Sequence, residues 1–155
     1  MQKKKQIAVL GYGVVGSGVV ELFYQNQEKI EKNTGYPMDI KYILDLRTFE
    51  GDPYADKVVH DINVILQDPE VGYVAECMGG VNPAFEFVSS CLKAGKSVST
   101  SNKQLVAEKG DILLQIARKT TATSSLKQAL AVRFQSCVRC IPASLQMICM
   151  RSLVF

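Results

Sequence analysis

Hydrophobic positions in residues 6–119 alternate between short unbroken runs and longer stretches with helical spacing. Gln6-Ile7-Ala8-Val9-Leu10 is apolar after its first residue and stops at Gly11. An apolar run without polar alternation predicts a strand buried on both faces, as in the middle of a parallel sheet. Residues 14–32 place Val15, Val19, Leu22 and Phe23 at helical spacing, with Ile30 extending that face, and predict one long helix. The turn-forming run from Asn33 to Pro37 ends it. Further on, the pattern predicts strands at 40–44, 58–59, 73–77 and 97–100. It predicts a short helix at 62–66 capped by Asp61, and a helix opening at Asn82 or Pro83 and stopped by Gly95. A last helix spans 104–119, with Leu105, Ile112, Leu113 and Ile116 as its core face. Strands alternating with helices predict a doubly wound parallel α/β sheet of the Rossmann type, here without its last strand and without a substrate domain.

The chemistry concentrates where strands end. Gly11, Gly13 and Gly16 form G-x-G-x-x-G between the first strand and the first helix. The first glycine permits a tight turn, the second lets backbone approach a pyrophosphate, and the third lets helix and strand pack closely. Val14, Val15 and Gly16 open the helix, whose free N–H groups and positive dipole end favour phosphate. A tight turn without a ligand is the alternative. Asp45 closes the second strand, where an acidic residue holds the adenosine ribose of a nicotinamide cofactor. Arg47, two residues on, suits a 2′-phosphate instead. The carboxylate tips the expectation toward NAD over NADP, although Asp45 would serve equally as a turn cap. Gly79 and Gly80 follow the fourth strand, where backbone would pass close to a cofactor. Glu76, in the same apolar strand, requires a partner or an exposed edge. Ser101, Asn102 and Lys103 follow the fifth strand. From position alone, Lys103 either handles a substrate oxygen and its proton or is a salt-bridged surface lysine.

Composition restricts the partners. The chain of 155 residues is 47% hydrophobic and 21% charged, with a net charge of +3 that gives no ground for nucleic-acid binding. No apolar run has transmembrane length, and the basic start, Lys3-Lys4-Lys5, leads into only a short strand. The expectation is a cytoplasmic protein acting on small molecules, without a metal or membrane partner.

Three blocks together resemble the nucleotide-binding half of homoserine dehydrogenase: residues 8–19 around the glycines, 75–80 ending in Gly79-Gly80, and 99–107 containing Ser101-Asn102-Lys103. The resemblance covers residues 5–119. It implies NAD(P)-dependent interconversion of L-homoserine and L-aspartate 4-semialdehyde, on the route to threonine, methionine and isoleucine. It also implies that Lys103 corresponds to the family's catalytic lysine. The family continues with a Glu-Ala-Ser-Val-Gly-Gly-Gly-Ile-Pro stretch and a substrate and dimerisation domain, neither of which follows here, so a homodimer is expected only where that domain is present. Negligible turnover and at best weak NAD binding are expected of this chain. A non-catalytic dinucleotide-binding module, or another amino-acid or aldehyde dehydrogenase on the same fold, is the alternative.

Residues 120–155 break the pattern. All fifteen acidic residues and all eleven glycines precede them, whereas Lys127, Arg133, Arg139, Arg151, Cys137, Cys140 and Cys149 lie within them. Cys137 and Cys140 form a C-x-x-C, but no second pair of ligands accompanies it. The break reads instead as translation in the wrong frame. Lys127-Gln128-Ala129-Leu130 written AAG-CAA-GCG-TTG, after the final G of Leu126, gives Glu-Ala-Ser-Val in the shifted frame, the start of the missing family stretch. The expected division is therefore a nucleotide-binding domain over 1–119 and an out-of-frame tail over 120–155.

Overall fold

The computed structural model describes residues 5–123. A five-stranded parallel sheet is built from β1 (Gln6–Leu10), β2 (Ile40–Leu44), β3 (Val58–Val59), β4 (Val71–Glu76) and β5 (Ser97–Thr100), in the spatial order β3-β2-β1-β4-β5. Residues 124–155, and with them most of the anomalous tail, lie outside the described residues.

β1 is central, which explains its run of apolar residues. Ile7 and Val9 point to one face, where they pack with Val20, Phe23, Ile40 and Ile43. Ala8 and Leu10 point to the other, among Leu44, Ile65, Val74, Val88, Leu92, Leu105 and Leu113. The first face is covered by α1 (Val14–Gln25) and α2 (Gln27–Thr34), the second by α3 (Ile62–Gln67), α4 (Ala84–Lys93) and α5 (Lys103–Thr123). Helices on both sides of a parallel sheet make the doubly wound arrangement expected.

The first helix departs from expectation in two ways. It is two helices, because Asn26 leaves the helical region with ψ near 13°. The Asn26 side chain donates to the Leu22 carbonyl (2.9 Å), and its own N–H is shared between the carbonyls of Leu22 and Phe23. A short amide competing for backbone acceptors is what breaks the run. Gly35 then closes α2 at φ +77°, donating to the Glu31 carbonyl. The buried stripe is also rotated. Gly16, Val20 and Phe23 face the sheet, whereas Val15 and Leu22 are exposed. Apolar residues cover most of α1, leaving a polar stripe of Ser17, Glu21 and Gln25, so spacing alone does not fix which part of the broad apolar face goes inside.

α5 begins one residue before the sequence suggests and runs past residue 119 to Thr123. Leu105, Gly110, Leu113 and Ala117 are its buried positions among the residues whose side chains are described. Ile112, expected in the core, is exposed, and Ile116 is half-buried. β4 starts at Val71 and ends at Glu76, leaving Cys77 in the following loop. The remaining elements lie within a residue or two of expectation, and Asp61 caps α3 by accepting the Asn63 N–H.

The chain runs outward from β1 to β2 and β3, then returns to β4 on the other side of β1. The carboxyl ends of β1 and β4 therefore border the crevice where strand order reverses, the place where open α/β sheets bind ligands.

Candidate functional site

Four loops meet at this end of the sheet: Gly11–Gly13 after β1, Asp45–Arg47 after β2, Cys77–Gly80 after β4, and Ser101–Asn102 after β5.

The glycines of the first loop have separate steric reasons. Gly11 sits at φ +91°, and a Cβ there would lie 2.9 Å from Met78 Cγ. Its N–H donates to the Leu44 carbonyl (2.8 Å), and Leu10 accepts the Cys77 N–H (2.8 Å), tying β1 to both neighbours where the strands end. Gly16 is buried against the loop, and a Cβ would fall 1.8 Å from the Gly11 carbonyl oxygen. Gly13 is different: at φ −85°, with nothing within 4 Å of a Cβ, it faces open space. Protein packing demands glycine at 11 and 16 but not at 13. Gly13 is the N-cap of α1 without a side-chain cap, and Val14 beyond it is 92% exposed. The first N–H groups of a helix have no partner within it, so this end presents donors to the crevice.

The second loop is bound to the first. Asp45 Oδ2 accepts the Tyr12 N–H (2.8 Å), and Oδ1 accepts the Arg47 N–H (3.0 Å). The Arg47 guanidinium adds bonds from Nε to Oδ1 (3.0 Å) and from Nη2 to Oδ2 (2.9 Å), and reaches the Tyr12 carbonyl (3.2 Å). The adjacent guanidinium, more than the backbone donors, holds the Asp45 carboxyl well below the usual carboxylate range despite its burial. Asp45 thus caps its own turn and pairs with Arg47 at the same time. The guanidinium also lies over the Phe49 ring at 5.1 Å.

Tyr12, between the first two glycines of the motif, is buried. Its ring meets Phe49 edge-on at 4.9 Å, and its hydroxyl donates to Asp52 (3.1 Å). Burial first, and the Asp52 bond second, push its hydroxyl up to about 12. The Asp45–Asp52 segment is thereby strapped to the glycine loop. An aromatic residue inside the glycine motif was the one available signal.

At the other side of the crevice, Glu76 is buried and satisfied, as its place in an apolar strand required. It accepts the Met78 N–H (2.7 Å) and the Thr100 hydroxyl. Burial raises its carboxyl above the ordinary value, while the Thr100 hydroxyl, the Met78 N–H and the Asn102 amide pull it back. Gly79 and Gly80 are exposed, with Gly80 at φ +76°. Asn102 is buried, and both ends of its amide are used within the protein. Nδ2 donates to the Gly80 carbonyl, and Oδ1 accepts the Leu105 N–H (3.1 Å), capping α5. Ser101 and Lys103 on either side of it are exposed. Lys103 is the first residue of α5.

Hydrogen bonds therefore link the loops across the crevice: Arg47 to Asp45, Asp45 to Tyr12, Cys77 to Leu10 beside Gly11, and Asn102 beside Lys103 to Gly80. Among the described residues, no group of three or more His, Cys, Asp and Glu is placed to hold a metal, and no helix is long and apolar enough to cross a membrane.

The family model for the homoserine dehydrogenase NAD binding domain matches residues 11–126. The homoserine dehydrogenase of Lactococcus lactis is 36% identical over 118 residues, 73% of this chain and 28% of that protein. That of Bacillus subtilis is 34% identical over 120 residues, 76% of this chain and 28% of its own length. A crystal structure of S. aureus homoserine dehydrogenase superposes with a TM-score of 0.70 at 33% identity, over 78% of this chain and 31% of that one. The enzyme from Thiobacillus denitrificans gives 0.70 at 28% identity, over 77% of this chain and 28% of that one. The chain spans less than a third of the length of these relatives. A parallel sheet in this strand order, a glycine turn packed as the fold requires, and a family match over most of the residues agree: the chain belongs to the homoserine dehydrogenase family, through that family's NAD-binding domain.

Proposed function

We propose that this chain is the dinucleotide-binding half of an NAD(P)-dependent oxidoreductase that interconverts L-homoserine and L-aspartate 4-semialdehyde. The observation that carries the reading is Gly13. It is a glycine that neither backbone conformation nor packing requires, and it stands at an exposed helix start on the crevice. A ligand approaching the helix start gives that position a reason to lack a side chain.

The residues fit a nicotinamide dinucleotide, which supplies the hydride donor or acceptor when bound. Gly11, Gly13, Val14, Val15 and Gly16 would hold its pyrophosphate through backbone N–H groups, and Asp45 and Arg47 its adenosine ribose. Gly79, Gly80, Ser101 and Asn102 would frame the nicotinamide end, with Asn102 acting by holding its loop, since its amide is already engaged. Lys103 Nζ, exposed at the head of α5, would donate to the substrate oxygen and move its proton. Turnover belongs to a chain that carries this half together with the remaining length of its relatives.

NAD is favoured over NADP. Asp45 remains ionised and already engages Arg47, so gripping a 2′-phosphate requires Arg47 to leave that pair and brings phosphate near a carboxylate. Fluorescence titration of the full chain with NADH and NADPH tests this. Asp45→Ala, which frees Arg47, should shift the affinity ratio toward NADPH, and Arg47→Ala should weaken NADPH more than NADH. An unchanged ratio in both variants would remove Asp45 and Arg47 from the ribose site.

A further inference from the structure

Glu76 lies one loop back from every residue assigned to the nicotinamide end, and it is 1% exposed. Its Oε1 accepts the N–H of Met78, which opens the Gly79-Gly80 loop (2.7 Å). Its Oε2 accepts the hydroxyl of Thr100, the last residue of β5. Thr100 Oγ1 in turn accepts the Asn102 N–H (3.0 Å), and Asn102 Nδ2 donates back to the Gly80 carbonyl. The circuit closes: Glu76, Met78, Gly80, Asn102, Thr100, Glu76. A second link runs through the backbone, from the Ser101 N–H to the Glu76 carbonyl (3.1 Å). The outgoing branch is the Asn102 Oδ1 cap on Leu105, which fixes the first turn of α5 and so the position of Lys103.

We infer that Glu76 is a positioning residue whose buried carboxylate holds the loops after β4 and β5 in register, setting Lys103 against the dinucleotide. This rests on the dinucleotide reading above. The chemistry calls for a carboxylate at this point. The Met78 N–H can only donate, and the Thr100 hydroxyl donates to Glu76 while its oxygen takes the Asn102 N–H. Two donors converge on one group, so both of its oxygens must accept. Glutamine has the same shape but one accepting oxygen. Turned either way, its NH2 faces the Met78 N–H or replaces the oxygen that accepts the Thr100 proton, so one buried donor loses its acceptor.

The test uses the full chain with Glu76→Gln, Thr100→Val and Thr100→Ser, and with Val74→Ala as a core truncation on the same strand. Amide hydrogen exchange and NADH titration are read in each. The circuit predicts faster exchange at Met78, Asn102 and Leu105, whose N–H groups donate within it, in Glu76→Gln and Thr100→Val, with NADH affinity lowered about tenfold in both. Thr100→Ser, which keeps the hydroxyl, restores exchange and affinity. Val74→Ala lowers the melting temperature while leaving the loop amides and affinity in place. If Glu76→Gln and Thr100→Val change only the melting temperature, as Val74→Ala does, the positioning role is overturned. If Glu76→Gln does not fold, the Thr100 pair decides alone: no rescue by serine overturns the role. If the unmodified chain binds no NADH, the dinucleotide reading fails with the link to Lys103, while exchange at Met78 and Leu105 still shows whether the circuit holds the loops.

Discussion

Replacing Gly16 with alanine puts a methyl carbon 1.8 Å from the Gly11 carbonyl oxygen and 2.9 Å from its carbonyl carbon. Both are backbone atoms of the turn that joins β1 to α1, so neither yields by a rotamer change. The contact must open beyond 3.0 Å, which moves α1 off the sheet or forces Gly11 out of its left-handed conformation. Overpacking at a rigid site costs about 3 kcal/mol or more, and a fall in melting temperature of about 10 °C follows for a domain of this size. Gly18, two residues further along the same helix, has nothing within 4 Å of a Cβ. Gly18→Ala should stabilise by about 0.5–1 kcal/mol, the ordinary preference of a helix interior for alanine. Gly13→Ala should change stability by less than about 1 kcal/mol, because the loss of a glycine N-cap roughly offsets the reduced freedom of the unfolded chain. It should nevertheless weaken NADH binding at least about tenfold, because the methyl group occupies the space proposed for the pyrophosphate. Thermal unfolding followed by circular dichroism, with an NADH titration on each variant, separates the three. Gly16→Ala at wild-type stability, or Gly13→Ala less stable than Gly16→Ala, would refute the packing assigned to this turn.

Asp45→Asn should destabilise the protein at neutral pH but not in acid. The folded-state value of Asp45 is depressed by Arg47, so its contribution is complete above the ordinary 3.8 and disappears as pH falls through the folded value. The gap between denaturant melts of the two proteins should therefore narrow progressively as pH falls below 3.8; a constant gap would contradict the pairing. Lys57→Met removes an ammonium that donates to Asp39 (2.7 Å), the Tyr24 hydroxyl (2.7 Å) and the Ile40 carbonyl (2.9 Å). Denaturation should register a loss of about 1–3 kcal/mol, and a loss under about 0.5 kcal/mol would mean that the network is replaced by water. We further propose that residues 120–155 are read out of frame. Sequencing of the coding DNA should show a frame break between the codons of Ile116 and Ala122, with the alternate frame continuing into a substrate domain; an unbroken frame would sink the idea.

Much of the scaffold was legible because its signals are local and redundant. β1, β2, β3 and β5 are short apolar or alternating runs bounded by turn residues, and the structure places them where the pattern put them. The glycine motif was readable because backbone geometry admits no other residue at Gly11 and packing none at Gly16. The buried stripe of α1 was misread because the apolar face of that helix is broad, spanning all but the Ser17-Glu21-Gln25 stripe, and the orientation is decided by the fit of Gly16 on Gly11, a tertiary contact. The break at Asn26 depends on one side chain competing for carbonyls and leaves no trace in the hydrophobic pattern. Glu76 was marked by its chemistry as needing partners, but Thr100 and Met78 became identifiable only once β4 and β5 were adjacent. Arg47 and Asp45 were read as competing signals for two cofactors, whereas they are a pair, each setting the other's charge environment.

The central claim is that a nicotinamide dinucleotide lies across the carboxyl ends of β1, β4 and β5. Titration of the isotopically labelled full chain with NADH, followed amide by amide in NMR spectra, tests it most directly. Saturable shifts should concentrate at Gly13–Gly16, Gly79–Gly80 and Ser101–Lys103, leave the far end of α4 near Lys93 unmoved, and be lost in Gly13→Ala. Absence of saturable shifts, or shifts centred away from these loops, would contradict the account.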